Sequence, residues 1–124
     1  MATLGRVLVV DDDDVIRRLL KGFLEKKGYE VVLAVDGNDA LDKVRTERPT
    51  VVLLDITMPQ KSGFEVLKEI KRSDAGIGVI MVTAHADDAI GREALALGAF
   101  DYVSKPFDLE YLEKVLWWRL QLVE

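Results

Sequence analysis

Val51-Val52-Leu53-Leu54-Asp55-Ile56-Thr57-Met58-Pro59 decides how the rest of the chain is read. Four branched apolar residues run without a break, a single carboxylate follows at Asp55, and the run closes at Pro59. A continuous apolar run of this length suits a strand covered on both faces, as in a parallel sheet. Open α/β sheets bind ligands beyond the carboxyl ends of their strands, so Asp55 stands where such a sheet does chemistry. The plainer account of Asp55 alone is a turn cap.

Working outward, the same grammar repeats. Val7 to Val10 is a second apolar run, leading straight into Asp11, Asp12, Asp13 and Asp14. Ile16, Leu19, Leu20, Phe23 and Leu24 then recur at helical spacing. Asp13 or Asp14 is the expected N-cap and Gly28 the stop. Glu30–Ala34 reads as a strand, and Ala40, Leu41 and Val44 mark a helix that ends before Pro49. Beyond Pro59, Ser62-Gly63-Phe64-Glu65 is a capping box for a helix with Phe64, Leu67 and Ile70 on its apolar face. Val79 to Val82 is a strand ending at Thr83. Asp87 is the expected cap of a helix carrying Ile90, Ala94 and Leu97, closed by Gly98. Asp101 to Ser104 is a short strand, then come Lys105-Pro106-Phe107, and Asp108 is placed to cap a last helix through Leu122. Gly37, Gly63 and Gly98 are assigned to turns and caps. Strand and helix alternate five times, which predicts right-handed crossovers and one three-layer α/β domain over residues 4–124.

Composition narrows the function. The chain has 124 residues, 49% hydrophobic and 31% charged, the make-up of one globular domain. A net charge of −5 argues against binding nucleic acid or an anionic membrane. There is no cysteine, so disulfides and thiolate metal sites are excluded. No signal peptide or transmembrane span is read, and the cytoplasm is the expected compartment.

In a parallel sheet the C-terminal strand ends share one edge. That edge collects Asp11, Asp12, Asp55, Thr57, Thr83 and Lys105: three carboxylates, hydroxyls and one ammonium. Two like charges at ~4 Å repel by about 4 kcal/mol at an effective dielectric of 20. Lys105 and a hard divalent cation would offset that, and magnesium takes one or two carboxylates while accepting phosphate oxygens. Such a pocket suits phosphoryl transfer to a carboxylate nucleophile.

Four segments carry a resemblance: Val9-Val10-Asp11-Asp12, Leu53-Leu54-Asp55-Ile56-Thr57-Met58-Pro59, Met81-Val82-Thr83-Ala84 and Tyr102-Val103-Ser104-Lys105-Pro106-Phe107. In this order, on alternating strands and helices, the chain resembles the receiver domain of two-component response regulators, of the chemotaxis-receiver type. The resemblance implies a flavodoxin-like five-stranded parallel sheet of order 2-1-3-4-5. It implies Asp55 as phosphoacceptor for a sensor histidine kinase or phosphotransfer protein. Asp12, Asp55 and the Thr57 carbonyl would ligate Mg2+, with Asp11 acting mainly through water. Lys105 would pair with the phosphoryl group, Thr83 and Tyr102 would form the switch pair, and the Lys105–Pro106 bond would be cis. The protein would be a signalling switch acting through helix 4, strand 5 and helix 5, not an enzyme with an external product. The alternative is a receiver-like scaffold that is never phosphorylated.

Some points stay open at this level. If the first strand ended one residue later, Asp13 would enter the metal shell. Thr83 has a plainer reading as a buried strand hydroxyl, Lys105 as a solvated loop lysine, Tyr102 as strand packing and His85 as a loop residue rather than a wall of the hydrolytic water's path. An EF-hand loop is excluded because its sixth position from Asp11 is Ile16, not Gly. A P-loop is excluded because four aspartates would repel an uncomplexed phosphate, and a haloacid-dehalogenase phosphatase because Thr57 stands where its second aspartate belongs. The last helix carries two stripes, Leu109, Leu112, Leu116 and Leu120, and Tyr111, Val115, Trp118 and Leu122, with Trp117 beside them. One stripe suffices to bury a helix, so the second predicts a contact with another copy or with an output domain; the plainer reading is a wide buried face packed under the fourth helix. The helical pattern runs to the end with no Gly or Pro after Leu122, which favours a piece of a longer chain over a stand-alone receiver.

Overall fold

The computed structural model describes residues 4–58, 60–84, 88–106 and 108–122, the last two of them as backbone only. Its elements are β1 (Arg6–Val10), α1 (Asp14–Lys26), β2 (Glu30–Ala34), α2 (Gly37–Glu47), β3 (Val51–Asp55), α3 (Gly63–Ser73), β4 (Gly78–Thr83), α4 (Asp88–Ala96), β5 (Asp101–Ser104) and α5 (Leu109–Leu122). The strands form one parallel sheet in the order β2-β1-β3-β4-β5. This is the parallel sheet that the alternating pattern predicts, in the flavodoxin-like order that the resemblance implies.

Side chains alternate across the sheet with the period of two that a strand imposes. Leu8, Val10, Val52, Leu54, Val79 and Met81 point to one face, where Ala40, Val44, Val66, Leu67, Ile70 and Ala94 of α2, α3 and α4 cover them. Val7, Val9, Val51, Leu53, Ile80 and Val82 point to the other, against Leu20 and Leu24 of α1 and Leu112, Val115, Leu116 and Leu120 of α5. The three central strands are therefore apolar on both faces, which is why β3 reads as an unbroken run.

The helix starts follow the acidic and hydroxyl residues. Asp13 caps α1, its carboxylate accepting from the N–H groups of Val15 and Ile16. Asp36 caps α2 through Asp39 N–H, Ser62 caps α3 through Glu65 N–H, and Asp108 accepts from Tyr111 N–H. Gly28 and Gly98 end α1 and α4 with φ of 101° and 104°, a conformation that costs glycine little. The cap expected at Asp87 lies outside the described residues, as do Pro59, His85 and Phe107.

Two expectations are corrected. Gly63 and Gly37 are not explained by turns and caps alone; each opens a helix where another part of the chain presses close. In α5, Val115 is not on an outer stripe but in the core at 9% exposure, whereas Trp117 and Trp118 are 51% and 63% exposed. The Leu122 side chain lies outside the described residues.

Candidate functional site

β1 and β3 end side by side, with Val10 opposite Leu54, so the residues that follow them are neighbours. Asp11, Asp12 and Asp55 each bring a carboxylate oxygen to within 4.8 Å of the others. Asp11 and Asp55 are buried and Asp12 is exposed. The site is thus a pocket with one wet wall.

The buried carboxylates are held by named donors. Lys105, at the end of β5, places Nζ 2.9 Å from Asp11 Oδ2 and 3.5 Å from Asp55 Oδ2. Its backbone N–H donates to the Thr83 carbonyl at 2.8 Å, and its bond to Pro106 is cis. Asp11 Oδ1 accepts from Asp13 N–H at 2.9 Å, and Asp55 Oδ1 from Thr57 N–H at 3.2 Å. Burial pushes the Asp55 carboxyl up to about 6 and the charge of Asp11 adds to it, while Lys105 and the Thr57 N–H pull the other way. Burial also works against the charge on Lys105, but the hydrogen bond to Asp11 and the attraction of Asp55 outweigh it and raise the ammonium's pKa.

The run of four aspartates divides between the strand end and the helix cap. β1 ends at Val10, and the Asp13 carboxylate is engaged with α1, away from the cluster. Thr83 is buried at the end of β4, one residue past Val82, whose carbonyl accepts from Ile56 N–H at 2.9 Å. Tyr102 lies on β5 against α4. A Cβ built on Gly91 would fall 2.3 Å from Tyr102 Cζ, so the ring occupies a notch that only glycine leaves open.

Three carboxylates face one ammonium, a formal surplus of two negative charges that a divalent cation would balance. All the donors are oxygens, the set that magnesium takes. Buried acid, lysine and wet wall together can accept a phosphoryl group.

The sequence profile of the response regulator receiver domain matches residues 7–116. The chain belongs to this family. As a receiver it is a signalling domain of two-component systems, and its class works through phosphorylation. Regulatory protein AtoC of Escherichia coli is 42% identical over 122 residues, 98% of this receiver and 26% of AtoC. The receiver spans between 26% and 45% of the length of the curated relatives it matches. A CheY-like receiver domain from Methanospirillum hungatei JF-1 aligns with a TM-score of 0.92 at 33% identity, covering 98% of this chain and 97% of that one. Chemotaxis protein CheY4 of Vibrio cholerae aligns with a TM-score of 0.88 at 34% identity, over 99% of this chain and 100% of that one.

Sequence reasoning missed why Gly63 stands where it does, and it did not single out Gly91 or Arg17, whose Nη1 donates to the Asp11 carbonyl at 2.7 Å. A Cβ at Gly63 would lie 2.4 Å from the Asp55 carbonyl oxygen, so α3 can start against the end of β3 only with glycine there. Gly91 was visible as a glycine inside a helical pattern, the usual sign of a packing reason. Arg17 was visible only as a basic residue three after Asp14.

Proposed function

We propose that residues 4–124 act as one phosphorylation-dependent switch with Asp55 as phosphoacceptor. The observation that carries this is the buried Asp55 carboxylate beside Lys105 and two further carboxylates at one sheet edge. The donor is a sensor histidine kinase or a phosphotransfer protein. An Asp55 oxygen forms the new P–O bond as the P–N bond to phosphohistidine breaks, and the departing imidazole keeps the electron pair. Lys105, already poised between Asp11 and Asp55, binds an oxygen of the transferring group.

Asp12, Asp55 and the Thr57 carbonyl would hold Mg2+, with Asp11 acting through water; the three carboxylates each bring an oxygen within 4.8 Å of the others. When bound, the ion neutralises the negative charge on the carboxylates and the incoming phosphoryl group. Thr83 and Tyr102 convert the new charge into a change of surface. The Thr83 hydroxyl moves toward the phosphoryl group, Tyr102 follows, and the face made by α4, β5 and α5 changes. This face passes the signal to a downstream effector or output domain, and through α5 to a second copy of the chain. We assign the switch to the cytoplasm. The net charge of −5 argues against direct contact with nucleic acid. No helix among the described residues is long and apolar enough to cross a membrane.

The test is covalent. Acetyl phosphate with Mg2+ should add one phosphoryl group to the intact protein, at Asp55. Chelation should slow the reaction severely, and Asp55→Asn should abolish it. Equal modification of the Asp55→Asn variant at another aspartate would sink the assignment. No modification of either protein by acetyl phosphate or a kinase would favour the unphosphorylated scaffold.

A further inference from the structure

Arg17 and Arg18 are sequence neighbours in α1 with different surroundings. The Arg18 side chain is 70% exposed and reaches Asp14 Oδ2 at 2.9 Å. The Arg17 side chain is 14% exposed. Its Nη1 donates to the backbone carbonyl of Asp11 at 2.7 Å, and its Nη2 lies 3.2 Å from Asp14 Oδ1. One planar guanidinium thus ties the first of the four aspartates to the last. The Asp11 carboxylate is held separately by Lys105 and by Asp13 N–H.

The carbonyl that Arg17 grips belongs to the peptide unit joining Asp11 to Asp12. Asp12 is exposed, so the direction of its carboxylate depends on the backbone that carries it. Mg2+ demands near-ideal octahedral geometry, and a ligand turned aside costs affinity. We propose that Arg17 is a positioning residue for the metal site: its hydrogen bond to the Asp11 carbonyl aims Asp12 at the cation that Asp55 also binds. The proposal rests on the Mg2+-dependent reading above.

Charge alone predicts the opposite sign. A guanidinium close to a cation site repels the cation, so neutralising it should tighten Mg2+ binding. Geometry predicts weaker binding, and partners that orient metal ligands are typically worth 10- to 100-fold in affinity. Arg17→Met removes both charge and hydrogen bonds. Arg17→Lys keeps the charge but loses the planar fork, so it isolates positioning.

The full chain and both variants are titrated with MgCl2. Affinity is read by calorimetry and by the magnesium-dependent rise in melting temperature, which follows binding to the folded state. Both variants should bind Mg2+ about tenfold or more weakly than the native chain. With acetyl phosphate, the Mg2+ concentration giving half-maximal rate should rise by the same factor, while the rate at saturating Mg2+ is retained. Unchanged or tighter Mg2+ binding by Arg17→Met overturns the proposal, as does a lowered melting temperature with native affinity in Arg17→Lys. Should Arg17→Met not fold, Arg17→Lys decides alone. A native chain that shows no Mg2+ response fails the metal reading itself, an outcome distinct from equal responses in all three proteins.

Discussion

The carboxyl of Asp55 carries a cost that the fold meets on every ionisation. Its pKa is pushed up to about 6, first by burial and then by Asp11. In the unfolded chain it would release its proton near the ordinary value of 3.8. Between those values the folded state binds more proton than the unfolded one, so this group's contribution to stability falls as pH rises from about 4 to about 6. The full shift corresponds to at most about 3 kcal/mol. Without magnesium, Asp55→Asn should therefore be more stable than the native chain at neutral pH and should flatten the decline between pH 4 and 6. Urea unfolding across that range tests this, and parallel pH profiles for the two proteins would count against it. Because Mg2+ needs the ionised carboxylate, its stabilising effect should fade as pH drops through about 6. A second residue-scale expectation concerns Gly63. A methyl group 2.4 Å from the Asp55 carbonyl oxygen meets rigid backbone, so Gly63→Ala should cost about 2 kcal/mol in denaturant titration. The two sites differ in legibility. Asp11, Asp12 and Asp55 were legible because they stand at the C-terminal ends of apolar strands, and Thr83 and Lys105 because the end of β4 and the residue after β5 fall on the same sheet edge. The reason for Gly63 was not, because the close approach is made by folding and leaves no local pattern.

At the scale of elements, α4 and β5 are coupled through a missing side chain. α4 has nine residues, and Gly91 in its interior costs about 1 kcal/mol of helix propensity relative to alanine. The Tyr102 ring fills the space this leaves, with Cζ 2.3 Å and the hydroxyl oxygen 2.6 Å from where a Cβ would be. Ring position and helix packing therefore depend on each other, the property that a switch tyrosine needs. The expected signature is a reversal of sign. Gly91→Ala should destabilise the chain when Tyr102 is present, because the ring is expelled. In a Tyr102→Ala background the same substitution should stabilise it by about 1 kcal/mol, since only propensity remains. A double-mutant cycle on thermal unfolding reads this, and equal effects in both backgrounds would show that ring and notch are independent. The three central strands were readable almost to the residue, because each is an unbroken apolar run that stops at a polar residue, Asp11, Asp55 or Thr83. α5 was less readable. Its sequence is apolar nearly all round, so periodicity offered two stripes, and only tertiary packing put Val115 into the core while leaving the tryptophans outside.

At the scale of the whole molecule, helix residues from both sides of the sheet fill two cores, and the indoles of Trp117 and Trp118 belong to neither. Tyr111 is also exposed on α5, and its hydroxyl donates to Asp101 Oδ2 of β5 at 2.6 Å. The hydrogen bond to Asp101 comes first, and burial second, in raising the Tyr111 phenol to about 12, so this tie stays protonated at physiological pH. It fixes the start of α5 to the same strand that carries Tyr102. In the switch proposed above, a change at Tyr102 would reach α5 through this hydrogen bond. Exposed aromatics in an apolar patch are the residues that most often anchor protein interfaces. A second copy of the chain would present the same patch, and two such patches satisfy the symmetry of a closed dimer. The receiver should therefore self-associate through α5, to a degree that depends on acetyl phosphate and Mg2+. Trp118→Glu should leave phosphorylation at Asp55 unchanged and abolish the association. The substitution is informative because Trp118 is 63% exposed, where a change alters fold stability by only about 0.5 kcal/mol. Sedimentation velocity with and without the phosphodonor decides it: a monomer of the native chain in both states would leave the tryptophans without this role.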